Sequence, residues 1–291
     1  MDERLKDRVA VITGGSSGIG RATALRFANA GAKIVIADLK SGGTEGEITD
    51  KHGKDRAIFV KCDVTQEKDI ESLFQEAVKW ARRLDISCHF AGIAVETTYD
   101  KPKRAHEMDV KDYDFLYSIN ERGVWLCCKY ALKQMLEQEP REANARGDRA
   151  RGWIINAASM LGLIAGGSAV STLALVRPAN VIITVETAPA YVPSKHAVVG
   201  MTRQMAIDYA QDRIHVNCLC PGYVDSPFLS KLTYVSRPQN FRHIATDSSY
   251  QRECRCHICS GCETPLDRPR ETRRYRRCSL VPRWRRGVMV C

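Results

Sequence analysis

The stretch RVAVITGGSSGIGRATALRFANAG, residues 8–31, decides the fold. It opens as a short apolar run, turns through a cluster of glycines, and continues with helical spacing until Gly31 stops it. Gly14, Gly18 and Gly20 let a backbone turn sharply and come close to a pyrophosphate, while the start of the helix offers unpaired N–H groups to that anion. Glycines mark turns everywhere, so the turn alone means little. Placed between a strand and a helix, it predicts a dinucleotide-phosphate site formed by Gly14, Ser16, Ser17, Gly18, Ile19 and Gly20.

The same alternation repeats outward from this loop. AKIVIAD, AIFVKCDV and DISCHFAG read as further short apolar strands, with a helical stretch over residues 67–83 between the last two. WIINAAS reads as a fifth strand, residues 190–210 as a helix, and RIHVNCLCPG as a sixth strand. Short apolar strands separated by amphipathic helices predict a single α/β domain, a doubly wound, Rossmann-type parallel sheet covered on both faces. Such sheets bind ligands beyond the carboxyl ends of their strands. Asp38 closes the second strand, about twenty residues past the glycine loop, where an acid accepts hydrogen bonds from the adenosine ribose. A carboxylate there repels a 2′-phosphate, so NAD is expected over NADP; Arg21 and Lys40 lie close enough in sequence to soften that preference.

Composition divides the chain. The net charge of +10 invites a nucleic-acid reading, yet residues 1–228 carry 30 Lys+Arg against 29 Asp+Glu. Residues 229–291 hold 14 basic and 5 acidic residues and six of the twelve cysteines. The expected organisation is a dinucleotide-binding and catalytic domain over 1–228, followed by a basic Cys/Arg-rich tail that lacks apolar periodicity and is expected to be disordered. There is no apolar run of membrane-spanning length and no signal-peptide pattern, so a soluble, cytoplasmic protein with reduced thiols is expected.

The glycine spacing, YVPSK at 191–195 and NCLCPGYVDSP at 217–227 together resemble the short-chain dehydrogenase/reductase family, from about residue 5 to 228. The resemblance implies an NAD(P)-dependent oxidoreductase that interconverts a secondary alcohol and a ketone on a small metabolite, such as one of secondary metabolism. It implies that Asp63 and Val64 flank the adenine, and that Ala91 and Gly92 belong to the run that borders the cofactor. His89 and Phe90 stand where the family has two asparagines, which leaves open what braces the central strand. Asn120 matches the helix asparagine that supports a proton-relay water. Pro221, Gly222, Val224 and Ser226 match the loop that meets the carboxamide. Ser159 matches the serine that hydrogen-bonds the substrate oxygen.

Tyr191 and Lys195 can be argued without the family. Four residues apart on a helix, they share a face and can reach one ligand. A free phenol ionises near about pH 10, too high for an acid/base catalyst at neutrality. The Lys195 ammonium and an oxidised nicotinamide would both lower that value, and Lys195 can also hold the nicotinamide ribose. The cofactor would move the hydride and the protein the proton.

One stretch does not fit. Ser159 and Tyr191 are 32 residues apart, much farther than the family holds them, and deleting the 19 residues 169–187 restores the join GLIAGGSAPAYVPSK. STLALV and VIITVE around RPAN read as a β-hairpin; the other reading is an unspliced intron, because Val170-Ser171 and Ala179-Asn180 can be encoded by donor-like and branch-like sequences. Ser168 and Ser171 are the alternatives for the serine role. A lengthened loop is expected to misalign Ser159 with Tyr191, leaving a catalytically impaired dinucleotide-binding protein as the rival function.

In the tail, Cys254, Cys256, His257, Cys259 and Cys262 could ligate zinc and the arginines could bind phosphates. A frameshifted end explains the same residues, so neither a metal site nor a nucleic-acid partner is expected. Assembly through the Tyr–Lys helix and a final strand is implied by the family, and is expected to be weakened here.

Overall fold

A computed structural model of the chain describes residues 3–143, 147–165, 187–222 and 224, and two short strands at 283–285 and 288–290. The hairpin expected within 169–187, Ser168, Ser171, Ser226 and the cysteine cluster at 254–262 lie outside the described residues.

Six strands form a parallel sheet: β1 (Val9–Thr13), β2 (Lys33–Asp38), β3 (Ala57–Lys61), β4 (Ile86–His89), β7 (Gly152–Ala157) and β8 (Ile214–Pro221). Their order in space is β3-β2-β1-β4-β7-β8. Every residue of β1 is buried, and that accounts for its continuous apolar run: both faces of the sheet are covered. Ala10 and Ile12 face one way, into a core shared with Ala24, Ala28 and Ile48 of helices α1 (Gly18–Asn29) and α2 (Thr44–His52). Val11 faces the other core, with Leu73, Leu132 and Val198 of α3 (Glu67–Ala81), α5 (Val124–Leu136) and α6 (Tyr191–Asp208).

Chain order runs outward from β1 in both directions, through β2 and β3 on one side and β4, β7 and β8 on the other. The carboxyl ends of β1 and β4 therefore open onto a crevice at the point where the order reverses, the place a doubly wound sheet offers to a ligand. Helix α4 (Val110–Tyr117) passes through a π turn, Ser118–Gly123, into α5. A small antiparallel pair, β5 (Arg141–Glu142) with β6 (Arg149–Ala150), lies apart from the main sheet.

The described residues of the tail are two short strands. β9 (Arg283–Arg285) and β10 (Val288–Val290) pair with each other, and β10 adds antiparallel to β8. The sequence VMV supplies β-branched residues suited to an extended edge, too short a run to register as periodicity. Among the described residues six cysteines are free and buried, as reduced thiols would be. No helix of the described residues is long and apolar enough to cross a membrane.

Candidate active site

A cleft of about 420 Å³ runs along the carboxyl ends of the strands. Asp38 and Asp63 lie at one end and Tyr191, Lys195 and Val224 at the other. The glycine loop shapes the first end. Gly14 has φ +66°, and a Cβ on it would stand 2.8 Å from the Ala91 nitrogen; a Cβ on Gly20 would collide with the Gly14 carbonyl. Backbone thus packs on backbone where side chains would fill the cradle, and α1 carries no acidic residue in its first turn. Those features fit a pyrophosphate at the helix start. Gly14, Ser17, Gly18, Ile19, Gly20, Asp38, Asp63, Val64, Ala91, Gly92, Pro221, Gly222 and Val224 all line the cleft.

Ser16 does not line it. Its N–H donates to Asp38 Oδ2 at 3.1 Å and its hydroxyl to the Lys40 carbonyl at 2.8 Å, because the tight turn directs it back towards β2. Ser16 therefore braces Asp38. The second Asp38 oxygen accepts from the Leu39 N–H at 2.8 Å. Arg21 forms an ion pair with Glu47, so its charge does not stand free beside Asp38.

The brace left open at His89 and Phe90 is built differently here. His89 is buried and links Ser87 (2.8 Å) to Asn156 on the adjacent strand (2.8 Å), and the Asn156 amide donates to Thr202 of α6 at 2.9 Å. With the Asn156 amide nitrogen committed to Thr202, its oxygen faces His89, so Nδ1 carries the proton and Nε2 accepts from Ser87. The imidazole is neutral, and burial pushes its pKa down to about 4. The unfolded chain takes up that proton near about pH 6.5, so the stability supplied by neutral His89 is complete above that value. It declines as pH falls from 6.5 towards 4, by about 3 kcal/mol in all. Denaturant titrations at pH 6.5 and 4.5 are expected to show a larger loss for the wild type than for His89→Asn; equal losses would refute the assignment.

Ser159 and Tyr191 meet in spite of their separation in sequence. Ser159 leads into a 3₁₀ turn, Met160–Gly162, and accepts from the Leu161 N–H at 3.2 Å. That turn packs directly on α6: a Cβ on Gly162 would stand 2.6 Å from the Lys195 carbonyl oxygen. The Tyr191 phenol hydrogen-bonds to Ser159. Contacts on either side of the extra segment bring Ser159 and Tyr191 to the same cleft.

Lys195 is buried and donates from Nζ to the Ala157 carbonyl at 3.0 Å, with Nζ 5.6 Å from the Tyr191 ring centroid. Burial lowers its pKa to about 8, against the opposing influence of Cys218 and Cys220. Among the chain's own groups, burial raises Tyr191 to about 12, only partly offset by Ser159, and Glu96 adds to the rise. Lys195 spends its ammonium on a main-chain oxygen, so desolvation outweighs it. Asn120, fully buried in the π turn, clamps Ile93 with both ends of its amide, accepting at 2.8 Å and donating at 2.7 Å. Its amide also reaches Ser194 Oγ at 3.4 Å. With the side chain occupied, Asn120 reaches the site through Ile93 and Ser194 and does not itself line the cleft.

Sequence reasoning missed Glu96, Tyr99 and Lys103, which line the cleft from the segment after β4. Their position beyond the carboxyl end of a strand was the available signal. Tyr99 donates to Asp112 at 2.7 Å, and Lys103 lies over the Tyr99 ring at 4.4 Å.

A parallel sheet with a glycine cradle at one end of its cleft and a Ser–Tyr–Lys group at the other defines a dinucleotide-dependent oxidoreductase. The family model described as short chain dehydrogenase matches residues 8–171, and the one described as Enoyl-(Acyl carrier protein) reductase matches 149–255, past the composition change at 228. The chain belongs to the short-chain dehydrogenase/reductase family, whose members generally use NAD(P). It is 32% identical over 243 residues to secoisolariciresinol dehydrogenase of Forsythia intermedia, covering 83% of this chain and 74% of the relative. It is 33% identical over 225 residues to the mitochondrial borneol dehydrogenase of Lavandula x intermedia, covering 77% and 72%. The crystal structure of levodione reductase superposes with a TM-score of 0.61 at 29% identity, covering 77% of this chain and 74% of that one.

Proposed function

We propose that the protein interconverts a secondary alcohol and a ketone on a small metabolite, with NAD as the preferred cofactor. The observation that carries this reading is the convergence of Ser159, Tyr191 and Lys195 on one wall of the cleft. When bound, the dinucleotide supplies the hydride donor or acceptor and, oxidised, a positive charge beside the phenol.

The chain's own residues handle the proton and the positioning. Tyr191, held protonated by burial, donates its proton to the carbonyl oxygen in the reductive direction and takes it back in the oxidative one. Ser159, already hydrogen-bonded to the phenol, donates to the same oxygen and orients it. Lys195 holds the nicotinamide ribose from its seat on Ala157, and its ammonium favours phenolate once the second positive charge is present. Asn120 supports the relay by fixing Ile93 and Ser194 around Lys195.

Asp38 supports NAD. It stands at the cleft with no free guanidinium from Arg21 to receive a 2′-phosphate. Thermal melts with NAD⁺ and NADP⁺ are expected to rise more with NAD⁺ at equal concentration. A panel of cyclic and acyclic secondary alcohols is expected to reduce NAD⁺ in the presence of this protein and not of Tyr191→Phe. Equal or greater stabilisation by NADP⁺ would overturn the cofactor preference, and no turnover on either cofactor would overturn the reaction.

A further inference from the structure

Because 32 positions separate Ser159 from Tyr191, the covalent connection constrains the start of α6 only weakly. Something outside that connection has to fix the first turn of the helix. Glu96 does so. It comes from the 3₁₀ turn Val95–Thr98, and its Oε1 accepts from the Ala190 N–H at 3.0 Å and the Tyr191 N–H at 2.8 Å. Those are two of the N–H groups that a helix start leaves without intrahelical partners, and a carboxylate there is also favoured by the peptide dipoles.

Glu96 is itself held. Val95 is buried against Leu116 and Ala190, and Ile93 is clamped by Asn120. A line of contacts thus runs from the π turn through Ile93 and Glu96 to the helix that carries the phenol. The second oxygen of Glu96 is buried with no hydrogen-bond partner among the described residues. The other groups around Tyr191 are Ser159 from the turn after β7, Lys195 on its own helix and Tyr117 at the end of α4, with Tyr99 and Lys103 farther along the cleft. Lys195 is turned to Ala157 and Lys103 to the Tyr99 ring, which leaves Glu96 the charged group seated at the base of the phenol's helix.

We propose that Glu96 is a positioning residue for the acid/base tyrosine: through the N–H groups of Ala190 and Tyr191 it fixes where α6 begins, and it seats a carboxylate at the base of the phenol's helix. This rests on the reading of Tyr191 as the acid/base. The two parts of the role separate by substitution. Glu96→Gln keeps an oxygen that accepts both N–H groups and removes the charge; Glu96→Ala removes both.

The experiment is an NMR titration of protein carrying tyrosine labelled with ¹³C at Cζ, with the Tyr191 resonance assigned by its loss in Tyr191→Phe. Wild type, Glu96→Gln and Glu96→Ala are compared with and without NAD⁺, and their melting temperatures are recorded. In Glu96→Gln the melting temperature is expected to stay close to wild type, while the Tyr191 midpoint falls. In Glu96→Ala the melting temperature is expected to fall as well; should that variant not fold, Glu96→Gln alone decides. An unchanged midpoint in Glu96→Gln overturns the proposal, since a structural tether alone would leave the titration where it was. Failure of NAD⁺ to move the wild-type midpoint overturns the oxidoreductase reading instead, and the comparison between the two proteins still decides the role of Glu96.

Discussion

Tyr191→Phe is expected to lower turnover by about 10²–10⁴-fold, with the affinity for NAD⁺ changed by no more than a few fold. The substitution deletes one oxygen and leaves the ring in place against Val95, Leu116 and Ala190. Lys195 keeps its bond to Ala157, so the part of the cleft assigned to the ribose stays as it is. What disappears is the group that exchanges a proton with the substrate oxygen, together with the partner of the Ser159 hydroxyl. Loss of that one hydrogen bond costs about 1 kcal/mol, too little to unfold the protein, so the effect falls on the rate constant. Ser159→Ala is expected to add little to Tyr191→Phe, because the two act on the same oxygen and their losses are not additive. Steady-state kinetics at saturating NAD⁺, with calorimetric titration of the cofactor, measures both. A fall in turnover of less than tenfold would remove Tyr191 from the mechanism.

That prediction leans on features that were legible in sequence to different degrees. The strands could be read because burial on both faces leaves β1 and β2 apolar almost throughout. Tyr191 and Lys195 could be read because helical spacing is local. The pairing of Ser159 with Tyr191 was obscured by the residues between them. It depends on Gly162 letting one turn lie against the Lys195 backbone, and no spacing rule expresses such a close approach. Glu96 contacts the catalytic helix from 95 positions away, out of an irregular segment with no period to mark it. The chain's own influence on the ionisation of Tyr191 was hidden for a related reason. Sequence shows the neighbouring lysine, while the burial that dominates and the carbonyl that occupies the lysine exist only in the folded chain. His89 and Phe90 showed that the family's brace was altered, but its replacement by a chain through Ser87, Asn156 and Thr202 needed two strands and a helix in place.

At the opposite, amino-terminal edge of the strands, Asp85→Asn is expected to reduce the melting temperature by roughly 10 °C. Asp85 immediately precedes β4 and is fully buried. Its carboxylate faces Arg83 at 2.8 Å, Arg8 at 3.3 Å and Arg141 at 3.4 Å, and accepts from the Val9 N–H at 3.0 Å. Three guanidinium groups gather there around one anion. Asparagine keeps the shape and an acceptor oxygen, so the substitution isolates the charge from the volume. Removing one side of a buried ion pair costs about 3–5 kcal/mol, because the remaining charges stay desolvated without compensation. That is a large share of the roughly 5–15 kcal/mol that holds a typical domain together. The same arginines fasten the segment that follows α5: Arg83 donates to the Glu139 carbonyl at 3.0 Å, and Arg8 to that of Glu142. Hydrogen exchange is therefore expected to quicken at residues 138–143 and 147–151 before it does so elsewhere. The catalytic groups lie at the carboxyl ends of the strands, across the sheet from this cluster, so turnover per folded molecule is expected to be unchanged. Calorimetry and exchange measured together separate the two consequences. A melting temperature within about 3 °C of wild type would mean that the arginines are solvated well enough to need no counter-charge, and that packing of the apolar strands alone secures this edge.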